Sequence, residues 1–271
     1  VDEQRRPVSV VTGGGGGIGG GITRRLALRG DLLVVNDLDD GALTAIAAEI
    51  EELGGEAIGV PGDITDDAVV AELAAVVRDA GGADHLVNNV GDFRPASRTF
   101  LHSGPDHWQR LYEINLRHVF TVTHALLPAM VERGSGSIVN VSTVEAYRGI
   151  PANAAYSAFK AGVSAFTASL AVEVGAHGVR VNGVAPDLAD TAQTPAAAML
   201  RGRDASLVRT WLPLGRFGRP DDYARVVEFL LSDAAGFVTG QVLPVDGGTL
   251  AASGWYARAD GKGWTNLPDR A

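Results

Sequence analysis

The sequence predicts an α/β fold of three layers, in which helices cover both faces of a doubly wound, seven-stranded parallel sheet. Three observations predict it. Seven short runs rich in Val, Ile and Leu recur along the 271 residues, longer stretches of helical periodicity lie between them, and a dense glycine cluster follows the first run. Strands that are apolar throughout and alternate with helices are buried on both sides, and that is the mark of a parallel sheet.

The strand candidates are Val8–Val11, Leu32–Asn36, Ala57–Val60, Ala83–Asn88, Ser137–Val141, Arg180–Val184 and Gln241–Val245. Leu43, Ile46, Ala47, Ile50 and Leu53 form one helical stripe, and Val69, Leu73, Val76 and Val77 another. Gly54-Gly55 and Gly81-Gly82 stand where those helices should stop. One sheet of seven strands implies a single domain over 1–271, with its core at about 7–249. Residues 187–213 lack strand character and precede a helix start at Arg219-Pro220-Asp221-Asp222, so they read as a lid. The tail, 249–271, shows no period and is assigned no element.

Composition narrows the function. An apolar content of 46% and a mean hydropathy of +0.09 suffice for a substantial core. A net charge of −9 argues against nucleic acid as a partner, because gripping a phosphate backbone takes clustered Lys and Arg. With no cysteine there is no disulfide framework, thiolate nucleophile or Cys-ligated metal. No run approaches the ~20 apolar residues needed to cross a bilayer, and the polar start Val1–Pro7 lacks a secretory core, so the expected setting is cytoplasmic. The six histidines (85, 102, 107, 118, 124 and 177) show no paired ligand spacing, and no metal site is expected.

The glycine cluster Thr12-Gly13-Gly14-Gly15-Gly16-Gly17-Ile18-Gly19 sits between the first strand and an amphipathic run through Leu26 and Leu28. Backbone without Cβ atoms can approach a pyrophosphate, and the helix that follows presents free N–H groups and a positive dipole end. Gly13, Gly16, Gly17, Ile18 and Gly19 are therefore expected to bind a dinucleotide. Asp37 ends the second strand 24 residues after Gly13, where an acid accepts hydrogen bonds from both adenosine ribose hydroxyls and repels a 2′-phosphate. Leu38 follows it, and no Arg lies among residues 13–21 to neutralise that phosphate, so the expected cofactor is NAD rather than NADP. The competing reading of Asp37 is a plain turn start in Asp37-Leu38-Asp39-Asp40-Gly41.

In Tyr156-Ser157-Ala158-Phe159-Lys160 the i, i+4 spacing puts phenol and ammonium on one helix face. A free phenol has a pKa near ~10. A cation at ~6 Å in an effective dielectric of ~20 is worth about 2.8 kcal/mol, or roughly two pKa units. Lys160 together with a positive nicotinamide ring would thus bring Tyr156 towards the range useful for general acid/base work. Of 23 basic residues only Lys160 and Lys262 are lysines, which singles out this position.

Taken with Asn88-Asn89-Val90-Gly91, with Asn115 in an Ile-Asn-Leu segment and with Ser137-Ile138-Val139-Asn140-Val141-Ser142-Thr143, these motifs resemble the single-domain branch of the short-chain dehydrogenase/reductase family, from about residue 7 to 249. The resemblance implies a Rossmann-type fold with Tyr156 as catalytic acid/base and Lys160 as the residue that binds the nicotinamide ribose. Asn115 would hold a relay water, Asp63 would contact the adenine amino group with Ile64 beside it, and Asn89, Val90 and Gly91 would line the cofactor cleft. Pro186, Asp187, Leu188 and Thr191 would meet the nicotinamide carboxamide. The resemblance further implies a homotetramer or homodimer paired through helices around 107–132 and 154–175.

The departures from the family pattern are informative. The substrate-orienting serine falls on Thr143, with Ser142 as the alternative. Val90 stands for the usual Ala, and Asp187 for a Gly, where its carboxylate either favours a positive ligand or points to solvent. Phe93, Arg94, Glu145, Tyr147, Trp211 and Phe217 could reach the substrate mouth or simply pack. The expected activity is NAD(H)-dependent interconversion of a secondary alcohol and a ketone, the small-molecule partner. The alternatives are an NADP(H)-dependent ketoreductase and a non-catalytic dinucleotide-binding regulatory protein.

Overall fold

In the computed structural model, residues 5–93, 98–252, 256–257 and 264–266 are described. The chain begins with β1 (Val8–Thr12), α1 (Gly17–Arg29), β2 (Leu32–Asp37), α2 (Asp40–Glu52), β3 (Glu56–Pro61), α3 (Asp67–Asp79) and β4 (His85–Asn88). There follow α4 (Pro105–Tyr112), a π-helical turn at Glu113–Arg117, α5 (His118–Arg133), β5 (Gly136–Val141), α6 (Ala154–Val174) and β6 (Val179–Pro186). Next come α7 (Ala196–Leu200), α8 (Val208–Trp211), α9 (Pro220–Leu231), β7 (Val242–Val245) and α10 (Thr249–Ala252). Each strand lies within a residue or two of its expected position.

All seven strands pair in parallel, in the order β3-β2-β1-β4-β5-β6-β7. The chain starts mid-sheet, winds outward through β3, then crosses back to place β4 beside β1. At that reversal the loops after β1 and β4 diverge and leave a crevice at the strands' carboxyl ends.

Strand alternation divides the core in two. Val8, Val10, Val34 and Ile138 face one side and pack with Leu73 of α3, Val122 of α5 and Leu170 of α6. Val11, Leu33, Val35 and Val139 face the other and meet Ile22 of α1, Ile46 of α2 and Val227 of α9. Both faces are therefore dry, as the apolar runs require.

The helix starts differ in a way that matters for binding. Asp39 caps α2 by accepting from the Ala42 N–H at 3.2 Å, and Asp66 caps α3 by accepting from the Ala68 N–H at 2.9 Å. The N-cap of α1 is Gly16, with no side-chain cap at all. Its first-turn donors are left for something else.

Residues 187–213 fold as short helical pieces around a small apolar cluster of their own, in which Val208, Trp211 and Leu212 pack with Leu188, Leu200 and Phe217. A parallel bridge, Ala189 to Gly218, helps to tie this segment down. In the tail, to which the sequence assigned no element, β8 (Tyr256–Ala257) and β9 (Trp264–Thr265) pair antiparallel. Among the described residues, no helix is long and apolar enough to cross a membrane.

Candidate active site

The glycine loop lies in the crevice and is held from below. Asn89 Nδ2 donates to the Thr12 and Gly13 carbonyls, both at 3.0 Å, and the Asn89 N–H donates to Thr12 Oγ1 at 3.0 Å. Asn89 is therefore a brace for the loop. Gly19 is obligatory, since a Cβ there would collide with the Gly13 carbonyl oxygen. The outer side of Gly16 is open, and Thr191 faces Gly17, its Cβ 3.7 Å from where a Gly17 Cβ would stand. Bare backbone, an uncapped helix start and a facing Thr191 fit a dinucleotide pyrophosphate.

Asp37 Oδ2 accepts from the Gly15 N–H at 2.9 Å, and Oδ1 from the Asp39 N–H at 3.1 Å. The carboxylate thus sits at the rim of the glycine loop beside Leu38, whose side chain is 74% exposed. Asp63 is exposed and accepts from the Thr65 N–H and hydroxyl. Ile64 is 2% exposed and packs in the core. Val90 packs against the same core and approaches Gly13.

Beyond β4 and β5 the polar groups converge. Asn115 lies in the π turn, an irregularity that tends to mark functional positions. Its Nδ2 donates to the Leu111 and Asp92 carbonyls at 3.0 and 2.8 Å, while Oδ1 accepts from the Asp92 N–H at 3.1 Å. Lys160, 3% exposed, donates from Nζ to the Val141 carbonyl at 3.0 Å. Gly91 leaves room for both: a Cβ there would stand 2.7 Å from Lys160 Nζ and 3.1 Å from Asn115 Oδ1. Burial pushes the Lys160 ammonium down to about 8, so it keeps most of its charge at neutral pH.

The Thr143 side chain acts on the Tyr156 phenol, favouring its ionised form. Thr143 Oγ1 also contacts the Pro186 carbonyl at 3.3 Å. Ser142 faces the other way, donating to the Lys160 carbonyl at 3.0 Å and meeting Ser164 Oγ at 2.9 Å. Of the two hydroxyls, Thr143 is the one brought to the tyrosine.

In the chain by itself, burial and neighbouring carboxylates outweigh the lysine at the tyrosine. The Tyr156 phenol is pushed above its ordinary value, chiefly by burial and further by the carboxylates of Glu145, Asp92 and Asp187, against the effect of the Thr143 side chain. Lys160 alone does not bring it down; added positive charge has to do so.

The Asp187 carboxylate does not point to solvent: Oδ2 accepts from Arg148 at 2.7 Å and from Thr249 Oγ1 at 2.6 Å, and Oδ1 from the Leu188 N–H at 2.9 Å. Burial raises its pKa against those partners. Arg148 also reaches Glu145 Oε1 at 3.0 Å and the Thr249 carbonyl at 3.3 Å. Sequence reasoning passed over Arg148; its i, i+3 relation to Glu145 was the only local signal.

The other candidates separate as follows. Phe93 meets the Tyr156 ring edge-on at 5.8 Å, and Tyr147 OH reaches Ser164 Oγ at 3.3 Å. Trp211 and Phe217 pack in the 187–213 cluster. Arg94 lies outside the described residues.

Comparison with known proteins agrees with this geometry. A family model described as enoyl-(acyl carrier protein) reductase matches residues 14–249. The chain is 37% identical over 244 residues to 3-oxoacyl-[acyl-carrier-protein] reductase FabG of Thermotoga maritima, covering 90% of this chain and 97% of that protein. It is 40% identical over 246 residues to cis-4-hydroxycyclohexanecarboxylate dehydrogenase of Sinomonas cyclohexanicum, covering 90% and 96%. Among solved structures, levodione reductase superposes with a TM-score of 0.84 at 32% identity, covering 91% of this chain and 98% of that one.

Proposed function

Because the chain belongs to the short-chain dehydrogenase/reductase family, we propose that it interconverts a secondary alcohol and its ketone with NAD(H) as cofactor. The observation that carries this reading is the convergence of Thr143, Tyr156 and Lys160 at the carboxyl ends of β4 and β5, beside the glycine loop.

The residues present fit the cofactor. The glycine loop and the free amides of α1 take the pyrophosphate, Asp37 the adenosine ribose hydroxyls, Leu38 and Asp63 the adenine side, and Lys160 the nicotinamide ribose. When bound, nicotinamide supplies the hydride acceptor or donor and, in its oxidised form, positive charge.

Tyr156 is the general acid/base. In oxidation it takes the hydroxyl proton as the C–H bond gives up its hydride; in reduction it returns a proton to the carbonyl oxygen. Thr143 donates a hydrogen bond to that oxygen and orients it. Lys160 keeps a cation close to the phenolate. Asn115, through Asp92 and Gly91, holds the loop that shapes the ammonium's surroundings and leads protons towards solvent. What the protein supplies is positioning and charge.

Asp37 at the rim of the glycine loop supports NAD over NADP, since a 2′-phosphate would meet a carboxylate. Exposed apolar residues on α5 and α6, among them Phe120 at 36% and Val172 at 83%, support pairing with a second copy through those helices. Initial rates on a panel of ketones and secondary alcohols, with NADH and NADPH (or NAD and NADP) in parallel, test the reading. NAD(H)-dependent turnover is expected; equal or better use of NADP(H) rejects the cofactor assignment.

A further inference from the structure

Glu145 and Asp187 meet at one guanidinium. Arg148 Nη2 lies 3.0 Å from Glu145 Oε1 and 2.7 Å from Asp187 Oδ2, and none of the three side chains is more than 8% exposed. Asp187 is held as a carboxylate, since Arg148, Thr249 Oγ1 and the Leu188 N–H all donate to it. Both acids are tied to the reacting end of the crevice. The Glu145 N–H donates to Thr143 Oγ1 at 3.3 Å, and Asp187 follows Pro186, whose carbonyl accepts from the same hydroxyl at 3.3 Å. A third acid, Asp92, follows Gly91, which lies against Lys160 Nζ, and its backbone is clasped by Asn115.

The charges around the phenol do not cancel. Asp92, Glu145 and Asp187 all act on Tyr156. Against these three carboxylates stand Arg148, shared by two of them, and Lys160. His118, fully buried in the field of Lys160, adds no charge, because burial pushes it down to about 3 and leaves it neutral. One negative charge is left in excess. Hydride transfer requires the reacting carbons to lie about 3–3.5 Å apart, and a phenol that serves the substrate oxygen must be within about 3 Å of it. A nicotinamide ring in position to react therefore stands at most about 8 Å from the phenol, within a Debye length of the same carboxylates.

We propose that Glu145 and Asp187 make this site selective for the oxidised form of its cofactor, whose nicotinamide carries one positive charge, over the uncharged reduced form. This rests on the dehydrogenase reading above and extends it to direction. The excess negative charge is neutralised when the oxidised form binds and is restored on its reduction. The two acids thus favour NAD entering and NADH leaving, and oxidation of the alcohol is the direction that the site supports.

The dissociation constants of NAD and NADH, measured by calorimetry on the wild type, Asp187→Asn and Glu145→Gln, test this without turnover. A pH of about 6 keeps Lys160 charged and Tyr156 protonated throughout. The two forms share every phosphate, ribose and adenine contact, so their ratio cancels a general loss of affinity and any loss of folded protein. Each variant is expected to shift the ratio at least about threefold towards NADH. Asp79→Asn removes an exposed carboxylate on α3, 79% accessible, and controls for net charge; its ratio should stay at the wild-type value. A smaller shift in either site variant, a shift towards NAD, or an equal shift in Asp79→Asn overturns the proposal. If the wild type binds both forms and the ratio does not move, the dehydrogenase reading stands and only the selectivity falls. If it binds neither, the dehydrogenase reading falls and takes the proposal with it.

Discussion

Arg148 Nη2 lies 2.7 Å from Asp187 Oδ2, and both side chains are 8% exposed. The same guanidinium reaches Glu145 and the Thr249 carbonyl, so one side chain ties together the loops that leave β5, β6 and β7. Removing one partner of such a pair strands a buried charge, which costs about 3–5 kcal/mol. Arg148→Ala is therefore expected to lower the urea midpoint sharply. A loss below about 1 kcal/mol would show that the loops hold without it.

Asp187 also acts on the tyrosine. Its negative charge helps raise the Tyr156 pKa, so Asp187→Asn removes a contribution that holds the phenol protonated. The limb of the kcat pH profile assigned to the tyrosine should move to lower pH in that variant. A limb that stays in place, or moves to higher pH, rejects the coupling.

Tyr156→Phe removes the proposed proton acceptor and leaves the ring against Phe93. Turnover should fall by at least about 10²–10⁴-fold, the usual worth of a positioned acid/base, while NADH affinity by fluorescence titration changes little. Retained turnover rules out Tyr156 as the acid/base.

The two neighbouring hydroxyls give a ranking. Thr143→Ala takes away the hydroxyl proposed to orient the substrate oxygen and should lower kcat by about 10²-fold. Ser142→Ala loses a bond to the Lys160 carbonyl at 3.0 Å and should show up mainly as about 1 kcal/mol of stability. The opposite ranking in kcat would transfer the orienting role to Ser142.

Asp31 sets the acid limit of the fold. It is 1% exposed, and although burial alone would raise its pKa, the neighbouring His85, hydrogen bonds from Arg29 and Ser9 and the Arg29 charge bring it down to about 2. A carboxylate depressed in the folded state stabilises above its unfolded pKa and loses that contribution as pH falls through the folded value. From 3.8 to about 2 the loss is about 2 kcal/mol. The stability difference between wild type and Asp31→Asn, from urea unfolding, should narrow by about that amount between pH 5 and pH 2. A difference independent of pH would mean that the charge contributes nothing.

Period and punctuation carried most of the architecture. Seven apolar runs separated by helical stripes admit few arrangements, because short strands buried on both faces must lie side by side with helices above and below. The glycine cluster, Asp37 and the Tyr156–Lys160 spacing were legible for a similar reason: each is a local relation within one turn or one helix. Asn115 could be named from its neighbours, but the π turn that holds it could not, since that turn is stabilised by Asp92 on another loop.

Contacts between segments distant in the chain were decided only in three dimensions. The choice of Thr143 over Ser142 at the tyrosine depends on which hydroxyl β5 turns towards α6. The fate of Asp187 depends on Arg148 and Thr249, residues 39 and 62 positions away, so a carboxylate whose setting the sequence left open became the centre of a buried ion pair. The raised Tyr156 pKa follows from burial and from three carboxylates on separate loops. Local spacing can say which groups share a helix face; desolvation and charge summed over several loops exist only once the chain has closed around them.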